Sequence, residues 1–225
     1  MARFAVLLCV KNFPLLVLPI VVSVALAQSS ASPQPSQVVL LAQAVTGEPY
    51  YHQLRPPQPG TPPWKWRLIG GRLPDGDVTL RADGILAGTP TIAGEYRFRL
   101  EASDSAAPPQ SVAYDAMMRV RVPLENDWKL PPSVQEGGIS GSLVVTNSTS
   151  RTMDVTVIVL AVNEYGRATA LGYQHFSFSP GTQTIPFGSS LPRGRYIVHA
   201  DVVAEDLRNG AILRGRKQSN PITVP

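Results

Sequence analysis

Chemistry near neutral pH usually needs a histidine, a reactive cysteine or a cluster of carboxylates. The three histidines of this 225-residue chain, His52, His175 and His199, lie far apart in sequence. None has a second His or a Cys at metal-ligand spacing, and neither a G-x-S-x-G elbow nor a glycine-rich phosphate loop accompanies them. His52 stands beside Tyr51 and His199 inside an apolar run, the usual settings of packing or surface histidines. The expectation is a protein that is not an enzyme and holds no cofactor. Binding chemistry is better represented. Tyr50, Tyr51, Trp64 and Trp66 could stack on a pyranose ring. Alternation sends Trp66 inward, which leaves Tyr50 and Tyr51, and with them Trp64, as candidates. Arg208, Arg214, Arg216 and Lys217 gather about the last expected hairpin, where Arg214 and Arg216 are the binding candidates. Such a group could meet an anionic polysaccharide, a lipid headgroup or an acidic partner, or simply protect a sheet edge. Asn147-Ser148-Thr149 has the form of an N-glycosylation acceptor.

The elements that must position these residues begin after a leader. Residues 1–27 combine a basic start at Arg3, an apolar run from Leu15 to Leu26 and the small-residue end Ala25-Leu26-Ala27, the pattern of a secretory signal with an A-x-A cleavage site. The run is shorter than the ~20 apolar residues of a spanning helix. Cleavage is expected, with no membrane span afterwards. It would remove Cys9, the one cysteine, so the exported chain would rely on core burial without disulfides. It would also remove Arg3 and Lys11, leaving 18 Lys and Arg against 16 Asp and Glu. A surplus that small argues against nucleic acid as a partner. With 22 Pro and 18 Gly, and with no heptads or long amphipathic runs, the composition is that of a turn-rich β protein.

Residues 28–37, QSSASPQPSQ, lack apolar periodicity and read as a disordered spacer. Val38 to Ala44 reads as an opening strand, and the prolines at 56, 57, 59, 62 and 63 force an extended loop outside the sheets. In Trp64-Lys65-Trp66-Arg67-Leu68 strict alternation places both tryptophans and Leu68 inward. Tyr96, Phe98, Leu100 and Ala102 alternate in the same way. So do Tyr114, Ala116, Met118, Val120 and Val122 in an expected closing strand, Val112 to Val122.

Between Trp66 and Asp104 the residues Trp66, Leu68, Gly71, Leu73, Pro74, Gly76, Leu80, Gly84, Gly88, Thr89, Pro90, Thr91, Gly94, Tyr96, Phe98, Ala102 and Asp104 stand in one ordered pattern. It closely resembles the putative Ig domain repeated in bacterial surface proteins, related to the dystroglycan-type cadherin-like modules. The resemblance covers residues 38–123, with the segment Leu73 to Leu80 one residue longer than the pattern and read as a bulge. It implies an Ig-like sandwich and an adhesive role. Cadherin-like relatives hold calcium between domains with clustered carboxylates, so the resemblance makes Glu48, Glu101, Asp104, Glu125 and Asp127 candidate calcium ligands. The paired Asp-Asn acids of the cadherin linker are not matched, and the alternative is that Asp104 caps a turn and the others are solvated.

Residues 124–132, LENDWKLPP, read as a linker, although Trp128 implies packing. Residues 133–225 then show six or seven apolar-alternating runs, Ile139 to Asn147, Met153 to Asn163, Ala168 to Phe178, Gln183 to Phe187, Arg195 to Glu205 and Ala211 to Val224. Asn209-Gly210 is expected as a two-residue type I′ turn. The whole reads as all-β, two consecutive Ig-like β-sandwich domains behind a cleaved signal peptide. The expected role is an exported binding, adhesion or envelope scaffold protein, secreted, periplasmic or at the cell surface, with a protein or polysaccharide partner. The alternatives are a periplasmic chaperone that donates its closing strand to a client, a calcium-binding adhesion module, and a carbohydrate-binding accessory protein.

Overall fold

The computed structural model describes residues 37–225. The expected leader, Cys9 and the spacer up to residue 36 lie outside the described residues. Gln37, read as the end of the spacer, already belongs to the first strand.

The described chain is built of strands: β1 (Gln37–Leu40), β2 (Ala44–Val45), β3 (Tyr50–Gln53), β4 (Lys65–Gly71), β5 (Thr79–Leu80), β6 (Ile85–Gly88), β7 (Gly94–Ser103), β8 (Ser111–Arg121), β9 (Leu124–Gln135), β10 (Gly138–Asn147), β11 (Met153–Asn163), β12 (Ala168–Phe178), β13 (Gly181–Ser190), β14 (Gly194–Asp206), β15 (Ala211–Gln218) and β16 (Ile222–Val224). In the first half, a sheet of order β1-β8-β7-β4, with β2 also on β8, faces the sheet β3-β6-β5. In the second half, β13-β10-β9 faces β12-β11-β14-β15, with β16 also on β14. These residues form one compact unit.

Period-two alternation puts one apolar face of each sheet inward. In the first sandwich Trp66, Tyr96, Phe98, Leu100, Tyr114 and Met118 pack with Tyr50, Leu54, Val78 and Leu86. In the second, Leu143, Val145, Val155, Val157, Val159, Val198 and Val202 are almost fully buried. Each such aliphatic side chain stabilises the fold by about 1.5–3 kcal/mol relative to exposure.

Five sequence expectations change. The segment expected as a linker is the start of β9, with Leu124 in the second core and the Trp128 ring 5.7 Å from that of Phe187. Pro131 and Pro132 do not stop this strand because β9 is the edge of its sheet and they sit where its register with β10 shifts, between Leu130 and Ser133. The expected closing strand is β8, which is paired with β7 on one side and with β1 and β2 on the other. It has no free edge to donate. Leu68 and Val122, expected inside, are 39% and 38% exposed. Leu68 lies on the edge strand β4 beside a bulge and Val122 just past the end of β8. Asn209-Gly210 closes a hairpin, but with a four-residue loop between Asp206 and Ala211 and positive φ at Gly210 alone. The two-residue turn with positive φ at both centres is Glu136-Gly137, between β9 and β10.

Candidate functional site

The same corner opens a core strand in each half. At the start of β7 the Tyr96 hydroxyl donates to Ile92 O at 2.9 Å, and at the start of β14 the Tyr196 hydroxyl donates to Pro192 O at 2.9 Å. A tyrosine bonded back to the chain just upstream is the corner device of Ig-like sandwiches. Both strands then alternate inward apolar residues and finish near a buried aspartate, Asp104 just after β7 and Asp206 at the end of β14.

The two aspartates are satisfied differently. Asp104 accepts from the backbone N–H groups of Gln110 (2.7 Å), Thr61 (3.2 Å) and Ala106 (3.3 Å). It therefore fastens the proline-rich loop to the turn between β7 and β8, and these bonds, that from Gln110 first, hold its carboxyl below the usual aspartate range. Asp206 accepts one backbone bond, from Arg208 N–H at 3.0 Å, and then the guanidinium of Arg151 at 2.8–2.9 Å. Its carboxyl is also lowered, by the Arg208 amide first and by Arg151 after it. Arg151 continues to Glu48 of the first sandwich at 2.7 Å, a charge contact without hydrogen-bond alignment. The turn that presents Arg151 is itself tied down. Asn147 donates to Arg151 O and Phe178 O and accepts from Thr149. Asn147 is thus buried and bonded in the fold, which removes it as an accessible acceptor for a glycan.

The five candidate calcium ligands are not brought together. Glu48 meets Arg151, Glu101 meets Arg67 at 2.7 Å on the outer face of β7, Glu125 meets Arg121 at 3.1 Å, and Asp104 is closed by amides. Asp127 meets Lys217 at 2.7 Å and accepts from Trp128 N–H at 2.7 Å. The Lys217 bond is the main reason its carboxyl is lowered. No group of three or more His, Cys, Asp and Glu able to hold a metal ion occurs among the described residues.

The aromatic candidates also part company. Tyr50, expected exposed, is buried, its hydroxyl bonded to Ala42 O at 3.2 Å, and burial raises its pKa to about 12. Tyr51 is 66% exposed. Trp64 is half-buried against the first core and the backbone of Gly60. The basic residues of the last hairpin do not form one patch. Arg214 and Arg216 face outward, with Arg216 held by Asp201, whereas Lys217 turns to β9. Arg208 is exposed in the hairpin loop.

Sequence reasoning missed Arg151 and Asp206, because the contacts of Arg151 reach across 55 residues in one direction and to the first sandwich in the other. The available signal was the repeated Gly-x-Tyr, Gly94-Glu95-Tyr96 and Gly194-Arg195-Tyr196, each followed by inward alternation and an aspartate.

The flanks of the second sandwich differ as well. One is closed, with Lys217 of β15 bound to Asp127 of β9 and Gly215 lying against the Asn126 side chain. The other is formed by β12 and β13. Strand β12 is hydrogen-bonded on one side only, to β11, with a bulge at Leu171, and its eleven residues include no Lys, Arg, Asp, Glu or proline. Between β12 and β13 a cavity of about 100 Å³ is lined by Val157, Val159, Ile185 and Phe187, among others.

Residues 22–118 match the family described as Putative Ig domain, a stretch that begins ahead of β1 and ends within β8. No curated protein matches the chain. Similar solved structures include native alpha-2-macroglobulin of E. coli, at 19% identity over 66% of this chain and 9% of that one, with a TM-score of 0.35. A DUF3823 family protein from Bacteroides ovatus is similar at 10% identity over 66% of this chain and 84% of that one, TM-score 0.31. Mouse cadherin-23 EC22-24 is similar at 16% identity over 84% of this chain and 63% of that one, TM-score 0.30. The chain thus spans 9% of the native alpha-2-macroglobulin it matches. The first sandwich of this chain thus matches the Putative Ig domain family over most of its strands, and a second sandwich with the same corner strand follows it.

Proposed function

We propose that this is an exported, non-enzymatic protein of the cell envelope that binds or scaffolds another protein by accepting an extended segment of it along β12. The observation that carries this reading is the long edge of β12, which has no Lys, Arg, Asp, Glu or proline along it. A free strand edge offers a row of unpaired N–H and C=O groups, and folded proteins normally guard it with charge, proline, short length or a bulge. The other edges carry such guards. Strand β4 has Lys65 and Arg67, β9 has Pro131 and Pro132, β13 has Pro186, and β15 has Arg214, Arg216 and Lys217. Strands β1, β3 and β5 are four residues or fewer. Only β12, among the described edges, is long and free of Lys, Arg, Asp, Glu and proline, its one guard being a bulge at Leu171 that leaves Gly172–Phe178 in regular register with β11. A segment added there gains main-chain hydrogen bonds, and its alternate side chains lie over the apolar gap between β12 and β13.

The reading is tested by affinity capture from envelope extract with the wild-type chain and a Tyr173→Lys, Ser177→Lys double variant, which charges the edge at two exposed positions. The expected result is a protein retained by the wild type and lost with the variant. Equal retention by both, or turnover of a substrate by the purified chain, would overturn it.

A further inference from the structure

The sequence of β12 complements itself. After the bulge at Leu171, Gly172 to Phe178 run in unbroken register with β11. Two copies of one edge pair antiparallel about a two-fold axis, and residues set opposite each other lie on the same face of the joined sheet. The pairing that uses this whole stretch is centred on His175. It sets Gly172 opposite Phe178, Tyr173 opposite Ser177 and Gln174 opposite Phe176, each pair made twice, with His175 opposite its own copy.

In that register large meets small. On the inner face the bare Gly172 lies across from the Phe178 ring, and an aromatic ring opposite a strand glycine covers the place of its missing side chain. On the outer face the exposed Tyr173 lies across from the small, exposed Ser177. The imidazole of His175 is turned back onto its own sheet, with Nδ1 2.9 Å from Thr156 Oγ1 and Nε2 3.3 Å from Asp154. Phe178, whose carbonyl already accepts from Asn147, ends the free stretch. The opposite edge of the same sheet behaves otherwise, since two copies of β15 would bring Arg214, Arg216 and Lys217 together with their own kind.

We propose that a second copy of this chain occupies the β12 edge, joining the two sheets across a two-fold axis, and that a partner segment binds by displacing it. The inference rests on the reading of β12 as an accepting edge and adds what holds that edge beforehand. Sedimentation over a concentration series is expected to show the wild type at twice the monomer mass. The Tyr173→Lys, Ser177→Lys variant is expected to be a monomer, because it sets lysine opposite lysine twice. A Tyr173→Glu, Ser177→Glu variant is likewise a monomer alone and is expected to form a mixed dimer with the lysine variant, which two misfolded chains would not do. The register is read by oxidation. His175→Cys is expected to give a disulfide-linked dimer that the wild type does not, since paired Cα atoms lie about 4.5–5.5 Å apart and a disulfide spans about 4.4–6.8 Å. Ser177→Cys, on the same strand and face, is expected to give none, its two copies being roughly 14 Å apart along the strands. Failure of the two charged variants to form a mixed dimer, or linkage through position 177 as readily as through 175, would overturn the proposal. A wild-type monomer that still captures another protein through β12 would overturn it as well, and would leave the reading of the edge standing.

Discussion

Strands β7 and β14 are the same device set in two different surroundings. Each starts from a tyrosine bonded back to the chain four residues upstream, runs inward apolar residues through its core and leads into a buried aspartate. Asp104 spends its acceptor capacity on three amides of its own sandwich, whereas Asp206 has capacity left after one amide and takes Arg151. Because Arg151 also reaches Glu48, the end of β14 is shared between the sandwiches and the end of β7 is not. Identical corner strands therefore leave the relation between domains to one cation and to where the spare lone pairs of an aspartate point. The edges repeat the lesson. Charge and short length guard the edges of the first sandwich, and the second keeps one long edge strand, β12, without Lys, Arg, Asp, Glu or proline.

The comparison breaks most visibly in the cores. Leu100→Ala in the first and Leu143→Ala in the second, both essentially without solvent exposure, are each expected to cost about 2–5 kcal/mol in denaturant unfolding, with the value set by how far each site collapses. A smaller and more local effect is expected from Gly84→Ala. Gly84 holds φ +84°, and an added Cβ would lie 2.7 Å from the Trp66 ring, so a loss of about 1–3 kcal/mol is expected in the same assay, with tryptophan emission shifted.

The joint itself is sharpened by a double-mutant cycle. Glu48 and Arg151, at 19% and 23% side-chain exposure, are expected to show a coupling energy larger than that of Arg67 and Glu101, where Arg67 is 69% exposed. The latter should fall at about 0.2–1 kcal/mol, as for other exposed pairs. Acid unfolding probes both aspartates. Each has its folded pKa lowered, so the unfolded chain binds more protons. Their stabilisation is complete above the ordinary aspartate value of about 3.9 and is lost as pH falls through the lower folded values. Melting temperature followed from pH 6 to pH 2 is expected to fall less steeply in Asp104→Asn and in Asp206→Asn than in the wild type. Raised salt is expected to change the Asp206 contribution more, because only that one includes an ion pair.

Legibility in the sequence followed the range of the interactions. The inward sets Tyr96 to Ala102 and Tyr114 to Val120 lie in the core as alternation predicts, because period-two patterning is local. The strands from β10 onward likewise fall close to their expected runs. What was not legible depends on partners distant in sequence. The Glu48–Arg151–Asp206 joint and the burial of Tyr50 under its bond to Ala42 O leave no periodic trace. Strand β9 was hidden by prolines that an edge strand tolerates, and the Glu136-Gly137 turn by the absence of the Asn or Asp that such turns favour.

The central claim, that the β12 edge of the second sandwich is where this protein meets its partner, is tested most directly by photo-crosslinking in cells that produce it. A photoreactive amino acid is placed at position 173 on β12 or at position 67 on β4, both exposed edge positions. The account predicts a discrete protein adduct from position 173 and none from position 67. An adduct from position 67 alone, or from neither, would contradict it.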